Sequence, residues 1–308
     1  MLVRLCIAAL AVACVPLVAQ QPKRPRITGV AHVAYFVHDI EKSREFYKDF
    51  LGYEEPFDLK NKDGSLSLTF IKVNDRQYIE LFPESAPGTD RLNHISVETD
   101  DLEAMRLYLA SKGVKVPDKV PTGRIGNYNF TIKDPDGHGV EFVQYAPGGW
   151  SVRDKGRFLG KNRISPRILH TGIIVGSVQA SLAFYRDLLG FQEFWRGSRN
   201  EKVLDWMNLR VPDGDDYIEF MLYDKLPEPT QRGTQHHICL VVEDMDKAVA
   251  ELRRRSAHYE KPIEIRTGIN RRRQANLYDP DGTRTELMEP RTVDGVAAKS
   301  SKAPPPRP

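Results

Sequence analysis

Two stretches of the chain align along their whole length: GVAHVAYFVHDIEKSREFYKDFLGYEE (residues 29–55) and RILHTGIIVGSVQASLAFYRDLLGFQE (residues 167–193). Each begins with an apolar run typical of a buried strand and continues with aromatic and aliphatic residues at helical spacing. Gly52 and Gly190 follow, at the position where the end of a helix favours a residue with a left-handed backbone. The pattern predicts that the chain contains two copies of one strand–helix unit.

Further matching segments follow each stretch in the same order. RQYIELF (76–82) matches DYIEFML (216–222), NHISVETDDLEAM (93–105) matches HHICLVVEDMDKA (236–248), and DPDGHGVE (134–141) matches DPDGTRTE (279–286). Asp-Pro-Asp-Gly is a strong turn signal, because proline fixes φ and glycine tolerates a positive φ. The residues after each turn predict a short strand that ends near a glutamate. We therefore expect two homologous modules, each with a repeated arrangement of strands and helices.

A chain of 308 residues has room for two modules of ordinary domain size. We place module 1 at residues 27–147 and module 2 at residues 167–291. Residues 148–166 between them are basic and rich in glycine, which is typical of a linker. Residues 292–308 have too little apolar content to form a core and are predicted to be disordered.

The amino-terminal segment, residues 1–19, has the pattern of a secretory signal peptide. A short basic region, MLVR, precedes the apolar run LCIAALAVACVPLVA, which ends at Ala19. We therefore expect export to the periplasm or the exterior, with lipoprotein anchoring at Cys14 as the alternative. Removal of this segment leaves Cys239 as the only cysteine, which excludes an internal disulfide and a cysteine-based zinc site. No other stretch is apolar for long enough to span a membrane.

The charge balance does not indicate a nucleic-acid partner. The net charge is +3, from 45 basic and 42 acidic residues. The arginine runs at 253–255 and 271–273 are short and typical of solvated surfaces; contact of the second run with an anionic substrate is the alternative. We expect the partner to be a small-molecule substrate.

Four polar positions are chemically equivalent in the two modules, and each lies on an otherwise apolar predicted strand. They are His32 with His170, Glu80 with Glu219, His94 with His237, and Glu141 with Glu286. Common descent of the two halves explains such matching without any function, if each residue is a satisfied polar group of the core. Burying an unpaired polar group costs roughly 2–7 kcal/mol, however, and a metal ion would satisfy all four groups of a module together.

Each set of two imidazoles and two carboxylates suits a divalent ion: Fe, Mn, Ni, Co or Zn. The other histidines have no matching histidine in the second copy and are not predicted to be ligands; they are His38, His138, His236 and His258. His138 lies in the Asp-Pro-Asp-Gly turn and is predicted to face water.

The repeated motifs resemble the vicinal oxygen chelate superfamily. This superfamily includes glyoxalase I, extradiol dioxygenases, methylmalonyl-CoA epimerase, and the fosfomycin-resistance and bleomycin-binding proteins. LHTGIIVGSVQASLAFYRDLLGF (169–191) and YDPDGTRTELMEP (278–290) are especially similar to bacterial glyoxalase I. The resemblance implies an α+β fold of two tandem modules, each made of paired βαβββ units that form a cupped mixed sheet around a metal site. The family's ligands come from the first, fourth, fifth and eighth strands, which correspond to the four repeated positions.

The ligand set narrows the expected chemistry. Four protein ligands leave two positions on a six-coordinate metal, which suits chelation of two vicinal oxygens, whereas an extradiol dioxygenase needs three open positions. The resemblance then implies a glyoxalase-like lyase or isomerase that forms an enediolate-type intermediate, with Glu141 and Glu286 as the catalytic bases. Export argues against a cytosolic glutathione adduct as the substrate. The alternatives are an extradiol ring-cleaving dioxygenase and a non-catalytic small-molecule binding protein of the antibiotic-resistance type.

The family assembles its sites in two ways. Either both units of one module surround the same metal, or the units are exchanged, as in glyoxalase dimers, so that His32 and Glu80 pair with His237 and Glu286. The connections at 83–92 and 225–235 are long enough for both routes. Their prolines favour stiff, extended arms, and we therefore expect the exchanged pairing. The functional molecule is expected to be a monomer of two modules or a homodimer.

Overall fold

The computed structural model describes residues 22–88 and 90–307. The predicted signal peptide lies outside the described residues. Two mixed β-sheets, one from each half of the chain, carry a few short helices. The predicted α+β fold of two tandem modules is therefore confirmed. Within the described part of the chain, no helix is long and apolar enough to cross a membrane.

Module 1 forms a seven-stranded sheet. Its strands are β1 (Ile27–Val37), β2 (Glu54–Lys60), β3 (Leu66–Lys72), β4 (Tyr78–Pro83), β5 (Leu92–Thr99), β6 (Tyr128–Lys133) and β7 (Gly139–Gln144). Helix α1 (Ile40–Arg44) follows β1, and helix α2 (Leu102–Ser111) follows β5. The strand order is β2-β3-β4-β1-β5-β7-β6, with β1 parallel to β4 and antiparallel to β5. The two units of the module therefore meet along β1 and β5.

Module 2 repeats this architecture in an eight-stranded sheet, ordered β13-β14-β15-β12-β8-β11-β10-β9. After the short helix α3 (Trp150–Arg153), its elements are β8 (Ile168–Val175), α4 (Val178–Leu182), β9 (Gln192–Gly197), β10 (Trp206–Arg210), β11 (Tyr217–Leu222), β12 (His237–Val241), α5 (Met245–Arg254), β13 (Ile265–Thr267), β14 (Arg272–Tyr278) and β15 (Arg284–Thr292). Single 3-10 turns occur at Pro229–Gln231 and Ser256–His258. Strand β8 pairs with β11 in parallel and with β12 in antiparallel orientation, as β1 does with β4 and β5.

The helix after the first strand of each module differs from the expected α-helix. It continues as a π-helical segment, Glu45–Phe50 in module 1 and Ala183–Leu188 in module 2. Gly52 and Gly190 end these segments with φ of 81° and 80°, which confirms the left-handed positions predicted from the sequence.

One continuous hydrophobic core joins the two modules. It contains buried aliphatic and aromatic residues from both sheets. Phe50 of module 1 stacks on Tyr259 of module 2 with ring centroids 4.5 Å apart. Burial of one large apolar side chain contributes about 1.5–3 kcal/mol, so this shared core couples the stability of the modules.

The two Asp-Pro-Asp-Gly turns connect the modules to each other. Asp136 accepts hydrogen bonds from the backbone N–H of Gly176, 3.2 Å away, just before helix α4 of module 2. In the reverse direction, Asp281 accepts from the backbone N–H of His38, 2.8 Å away, just before helix α1 of module 1. The first aspartate of the module 1 turn, Asp134, accepts from the Tyr185 hydroxyl at 2.9 Å. Each turn therefore holds the start of a helix in the other module.

The prediction that His138 faces water is wrong. Its ring is buried, and Nδ1 lies 2.9 Å from a carboxylate oxygen of Asp134. The turn lies in the contact between modules, which the sequence of one turn does not indicate.

The linker and the tail are both in contact with the modules. Trp150 packs against Phe57 with ring centroids 5.2 Å apart. In the tail, Ser301 donates its backbone N–H to the Arg196 carbonyl at 2.9 Å, and Ala303 is buried. The prediction that residues 292–308 are disordered is therefore wrong for the part of the tail that lies alongside strand β9. Backbone hydrogen bonds to this edge strand order the segment, although it has few apolar side chains.

Replacing Asp136 with alanine tests the connection between modules. The substitution removes the acceptor for Gly176 N–H, and we expect a loss of about 1 kcal/mol in the free energy of unfolding. Urea denaturation of the folded protein measures this change. The matched control is Asp49→Ala, at an exposed aspartate, where we expect a change within about 0.5 kcal/mol. Equal losses of stability in the two variants would show that the hydrogen bond from Gly176 to Asp136 does not stabilise the contact between the two modules.

Candidate metal centres

The four predicted residues of module 1 converge on one point. His32 and His94 approach each other through their Nε2 atoms, 3.0 Å apart. Glu141 lies 3.4 Å from His32 Nε2 and 3.8 Å from His94 Nε2. Glu80 approaches the same two nitrogens to 3.6 and 3.8 Å. All four side chains are buried. Ligand atoms of His32, His94 and Glu141 lie within 4.8 Å of one another, a spacing that one metal ion could bridge.

Module 2 has the same arrangement. The Nε2 atoms of His170 and His237 lie 3.1 Å apart. Glu286 lies 3.4 Å from His170 Nε2 and 3.6 Å from His237 Nε2. Glu219 approaches these nitrogens to 3.9 and 3.4 Å. All four ligand atoms lie within 4.8 Å of one another, and all four residues are buried.

The hydrogen bonds outside each cluster fit a metal inside it. His94 Nδ1 lies 3.0 Å from the Asn93 side-chain oxygen, and His237 Nδ1 lies 2.8 Å from the Gln235 carbonyl oxygen. An oxygen acceptor at Nδ1 requires the proton there, which leaves the lone pair of Nε2 directed into the cluster. Two nitrogen ligands at right angles, each 2.0–2.1 Å from the same ion, would lie about 2.8–3.0 Å apart. The residues therefore fit a divalent ion with imidazole and carboxylate ligands.

Strand register explains how distant residues meet. Ala34 on β1 lies opposite His94 on β5 and beside Glu80 on β4. Ser96 on β5 lies beside Glu141 on β7. Side chains two positions apart on a strand point to the same face, so these neighbours present the four ligands together.

Gly172 has a specific role at the centre of module 2. It lies opposite His237 and beside Glu219. A Cβ atom on this residue would come within 1.9 Å of the His237 ring. The imidazole therefore occupies the space that any side chain at this position would fill.

The expected exchange of units between modules is wrong. His32 meets His94 of its own module, because β1 pairs along its length with β5. The connection after β4 turns back onto β1: Glu84 donates its backbone N–H to the Val37 carbonyl at 2.9 Å, and Arg91 donates to the Glu84 carboxylate at 2.6 Å. These bonds hold the connection close to its own module, which its proline content does not reveal.

Burial sets the protonation of the module 1 centre. It lowers the pKa of His94 to about 4, with the charge of Lys133 adding to the effect, so the ring is neutral near pH 7. Burial also raises the pKa of Glu141 to about 7, although hydrogen bonds from Ser96 and Asn129 oppose the shift. The pKa of Glu80 is raised well above its usual value by burial and by the charge of Glu141. Without a cation, this centre therefore tends to hold protons on its carboxylates.

The module 2 centre has a different charge balance. Burial, together with the charges of Arg284 and His170, lowers the pKa of His237 well below its usual value. Burial acts to raise the pKa of Glu286, but the hydrogen bond and charge of His170, with the charge of Arg284, outweigh it and lower the pKa. Module 2 therefore keeps this carboxylate ionised more readily than module 1 keeps Glu141.

A cavity opens over each centre, and the two cavities differ in size and lining. The module 1 cavity, about 280 Å³, has apolar walls that include Leu68, Phe70 and Ile125. The module 2 cavity, about 570 Å³, is lined by polar residues and two tryptophans, Trp195 and Trp206. Each cavity gives a small molecule access to its cluster.

Sequence reasoning missed two kinds of site residue. Asn129 donates to Glu141 at 3.0 Å, but module 2 has Gln274 at the equivalent position, five residues before the Asp-Pro-Asp-Gly turn, so the repeat gave no signal for it. Asn276, opposite Glu286, corresponds instead to Thr131, opposite Glu141. Arg284 contacts His237, but module 1 has Gly139 at its position, so comparison of the halves could not identify it. The arginine run at 271–273 does not line the module 2 cavity; Arg273 instead pairs with Asp246 at 2.7 Å on the surface.

The comparison with known proteins agrees with this architecture. A model of the Glyoxalase/Bleomycin resistance protein/Dioxygenase superfamily matches residues 29–142 and 167–287. The chain belongs to this superfamily. It is 23% identical over 277 residues to the lactoylglutathione lyase of Schizosaccharomyces pombe, an alignment that covers 81% of this chain and 86% of that protein.

Solved structures share the fold. The 2,3-dioxygenase LapB from Pseudomonas sp. KL28 superposes with a TM-score of 0.66 at 18% identity, covering 87% of this chain and 93% of that chain. The Mn(II)-bound glyoxalase from Novosphingobium aromaticivorans superposes with a TM-score of 0.64 at 20% identity, covering 92% of this chain and 88% of that chain. At this level of identity the similarity establishes the fold alone.

We predict that the protein binds close to two divalent ions per chain. His94→Ala combined with His237→Ala removes one imidazole from each cluster and should abolish binding, because only one nitrogen ligand remains in each. The protein is loaded with zinc, unbound zinc is removed by dialysis, and elemental analysis then measures the number of zinc ions bound per chain. As a control, His258→Ala changes a histidine outside both clusters and should leave the metal content unchanged. Full metal content in the double variant would rule out the assigned ligands.

The two centres should also differ in the pH dependence of metal binding. Below pH 7 a metal must displace the proton of Glu141 in module 1, so zinc affinity there should fall by about tenfold per pH unit for each proton displaced. The lowered pKa of Glu286 predicts a weaker dependence in module 2. Competition with a chromophoric chelator from pH 5.5 to 8 measures both affinities, using His170→Ala/His237→Ala and His32→Ala/His94→Ala to isolate each centre. Parallel curves for the two variants would contradict the assigned charge balance.

Proposed function

We propose that the protein is an exported, metal-dependent lyase or isomerase that acts on a small substrate with oxygens on adjacent carbons. The observation that carries this proposal is the convergence of two imidazoles and two carboxylates at the base of a cavity in each module. Four ligands leave two positions on a six-coordinate ion, which matches a substrate that binds through two vicinal oxygens. Membership of a superfamily that includes glyoxalases supports the same chemistry.

In this proposal the two histidines and two glutamates of each cluster would hold a divalent ion, which when bound would supply Lewis-acid polarisation of a substrate carbonyl. Glu141 in module 1 and Glu286 in module 2 act as the bases. Glu141 takes a proton from the carbon that carries one oxygen and returns a proton to the neighbouring carbon. The electron pair of the broken C–H bond forms a double bond between the two carbons while the carbonyl pair moves onto its oxygen. When the neighbouring carbon is protonated, the hydroxyl oxygen on the first carbon loses its proton and becomes the carbonyl, and the second oxygen gains a proton, so the reaction needs no external oxidant or reductant.

The surroundings of Glu141 suit a general base. In the metal-free centre, burial raises the pKa of Glu141 to about 7, so its surroundings favour uptake of a proton by this carboxylate. Ser96 donates to one carboxylate oxygen at 3.3 Å, and Asn129 donates to the other at 3.0 Å. These bonds hold the carboxylate in one orientation.

A ring-cleaving dioxygenase is the second candidate, and one observation in module 1 favours it. His32, His94 and Glu141 form a compact group without Glu80, which corresponds to the two-histidine, one-carboxylate set of non-haem iron oxygenases. If Glu80 stays protonated, in line with its raised pKa, three positions on the metal are open. Consumption of O₂ with a catechol on the iron-loaded protein would distinguish this activity from isomerisation.

The single chain is proposed as the functional unit. Each cluster draws its four residues from one module of the same chain, so assembly of a site does not require exchange with a second copy. Export is proposed from the signal-like pattern of residues 1–19. We therefore expect a substrate that is available outside the cytosol.

Replacing both glutamates with glutamine tests the proposed bases. Glu141→Gln with Glu286→Gln preserves shape and one oxygen ligand but removes the proton acceptor. With the zinc-, manganese-, nickel-, cobalt- or iron-loaded protein and a panel of α-hydroxy carbonyl compounds, the wild type should exchange substrate C–H for deuterium in D₂O. The double variant should lose this exchange by about 100-fold or more, as measured by proton NMR.

Metal analysis of the same samples separates loss of the base from loss of the site. The control is Asn276→Ala, which changes a neighbour of Glu286 and retains both carboxylates; it should exchange more slowly than the wild type but faster than the double variant. Exchange at the wild-type rate in the double glutamine variant would reject proton transfer by these residues. If the wild type binds a ligand tightly but does not exchange its C–H for deuterium, the alternative function of a non-catalytic small-molecule binding protein would be supported instead.

A further inference from the structure

Arg284 places a positive charge against the ligands of module 2 alone. Its Nη2 atom lies 2.6 Å from His237 Nδ1 and 3.2 Å from His237 Nε2. It stands directly beside His237 in the parallel pairing of β12 and β15, at the position that Gly139 occupies beside His94 in module 1. The two centres therefore share the same set of two imidazoles and two carboxylates but differ by one guanidinium group.

This guanidinium has no anionic partner among the described residues. The structure places no carboxylate oxygen of residues 22–88 or 90–307 within 4.0 Å of its nitrogens, and its Nε atom is buried without a hydrogen-bond acceptor. Guanidinium groups that are partly buried normally bind a carboxylate, a phosphate or a carbonyl oxygen. Arg284 therefore has unused hydrogen-bonding capacity at the wall of the cavity.

The contact between Arg284 and His237 does not supply the missing acceptor. His237 Nδ1 lies 2.8 Å from the carbonyl oxygen of Gln235, and a carbonyl can only accept, so Nδ1 carries the proton. A guanidinium can only donate. In the tautomer that directs Nε2 into the cluster, two donors face each other, and Arg284 gains no hydrogen bond from the ring.

The charges of the centre and the lining of the cavity point to one kind of ligand. The two carboxylates of Glu219 and Glu286 balance a divalent ion, and Arg284 then leaves an excess of one positive charge. Arg266, also on the wall of this cavity, has no side-chain hydrogen bond or ion pair among the described residues. In module 1 the corresponding cavity has one arginine, Arg124, which already donates to Ser67 at 2.9 Å and to the Lys60 carbonyl.

We propose that module 2 binds a substrate that carries a carboxylate in addition to its two chelating oxygens and that Arg284 binds this carboxylate, whereas module 1 takes an uncharged, more apolar ligand. The two modules then have different substrate specificities. This inference rests on the proposed function, in which each centre chelates vicinal oxygens through a metal. Arg284 determines specificity by contact with substrate and does not take part in proton transfer.

Calorimetry with a matched pair of chelating probes tests the proposal. Catechol and 3,4-dihydroxybenzoate share the same pair of vicinal oxygens and differ by a carboxylate. The zinc-loaded His32→Ala/His94→Ala variant keeps only the module 2 centre, and we expect it to bind 3,4-dihydroxybenzoate about tenfold or more tightly than catechol. The zinc-loaded His170→Ala/His237→Ala variant keeps only the module 1 centre and controls for the difference in chelating strength; it should lack this preference.

Substitution of Arg284 in the module 2 variant assigns the preference to this side chain. Arg284→Gln should lower the affinity for 3,4-dihydroxybenzoate by about tenfold and change that for catechol by less than about twofold. Arg284→Lys, which keeps the charge without the planar donors, should retain part of the preference. Arg266→Gln is the matched control for a general effect of positive charge and should have a smaller effect. Zinc content measured on each variant verifies that the centre is intact.

Three outcomes would overturn the inference. They are an equal preference for the carboxylate probe in the module 1 variant, an unchanged preference in Arg284→Gln, and an equal loss of both probes in Arg284→Gln. The proposed lyase or isomerase activity is judged separately by deuterium exchange. If the protein shows the Arg284-dependent preference but exchanges no substrate C–H for deuterium, the inference about Arg284 is supported and the proposed reaction is rejected.

Discussion

The antiparallel pairing of the first and fifth strands in each module determines the geometry of both candidate centres. In module 1 it brings Ala34 of β1 opposite His94 of β5, so that His32 and His94 meet across adjacent strands. The flanking parallel strands β4 and β7 then add Glu80 and Glu141 from either side. A shift of one residue in this register would turn an imidazole to the opposite face of the sheet, where the apolar core excludes a charged ion.

Much of this arrangement could be predicted from the sequence, because it depends on the repeat. The two copies identify the strands, the helices and the polar positions, since His32 and Glu141 have counterparts in module 2 in the same local context. Features that arise where different parts of the chain meet could not be predicted in this way. Nothing near His138 signals that its turn is buried against the other module, and the prolines of residues 83–92 do not reveal the hydrogen bonds that hold this connection to its own module. Arg284 was missed because it breaks the repeat rather than following it.

The two centres illustrate how surroundings change a common set of ligands. Module 1 buries its carboxylates among apolar walls, so that burial raises the pKa of Glu141 to about 7. In module 2, positive charge from His170 and Arg284 opposes the same burial, and the pKa of Glu286 is lowered. A single change at the start of the last strand of each module, Gly139 on β7 and Arg284 on β15, alters charge, cavity lining and histidine environment together.

The reciprocal contacts of the Asp-Pro-Asp-Gly turns also limit how this duplicated protein can evolve. Each turn directly precedes the strand that carries a candidate ligand glutamate, and each turn is fixed to a helix of the opposite module. Deletion of either half by recombination would remove a support for the site in the half that remains. Selection can therefore redirect or silence the chemistry of one copy while still preserving its fold, because that copy continues to serve as a scaffold for its neighbour.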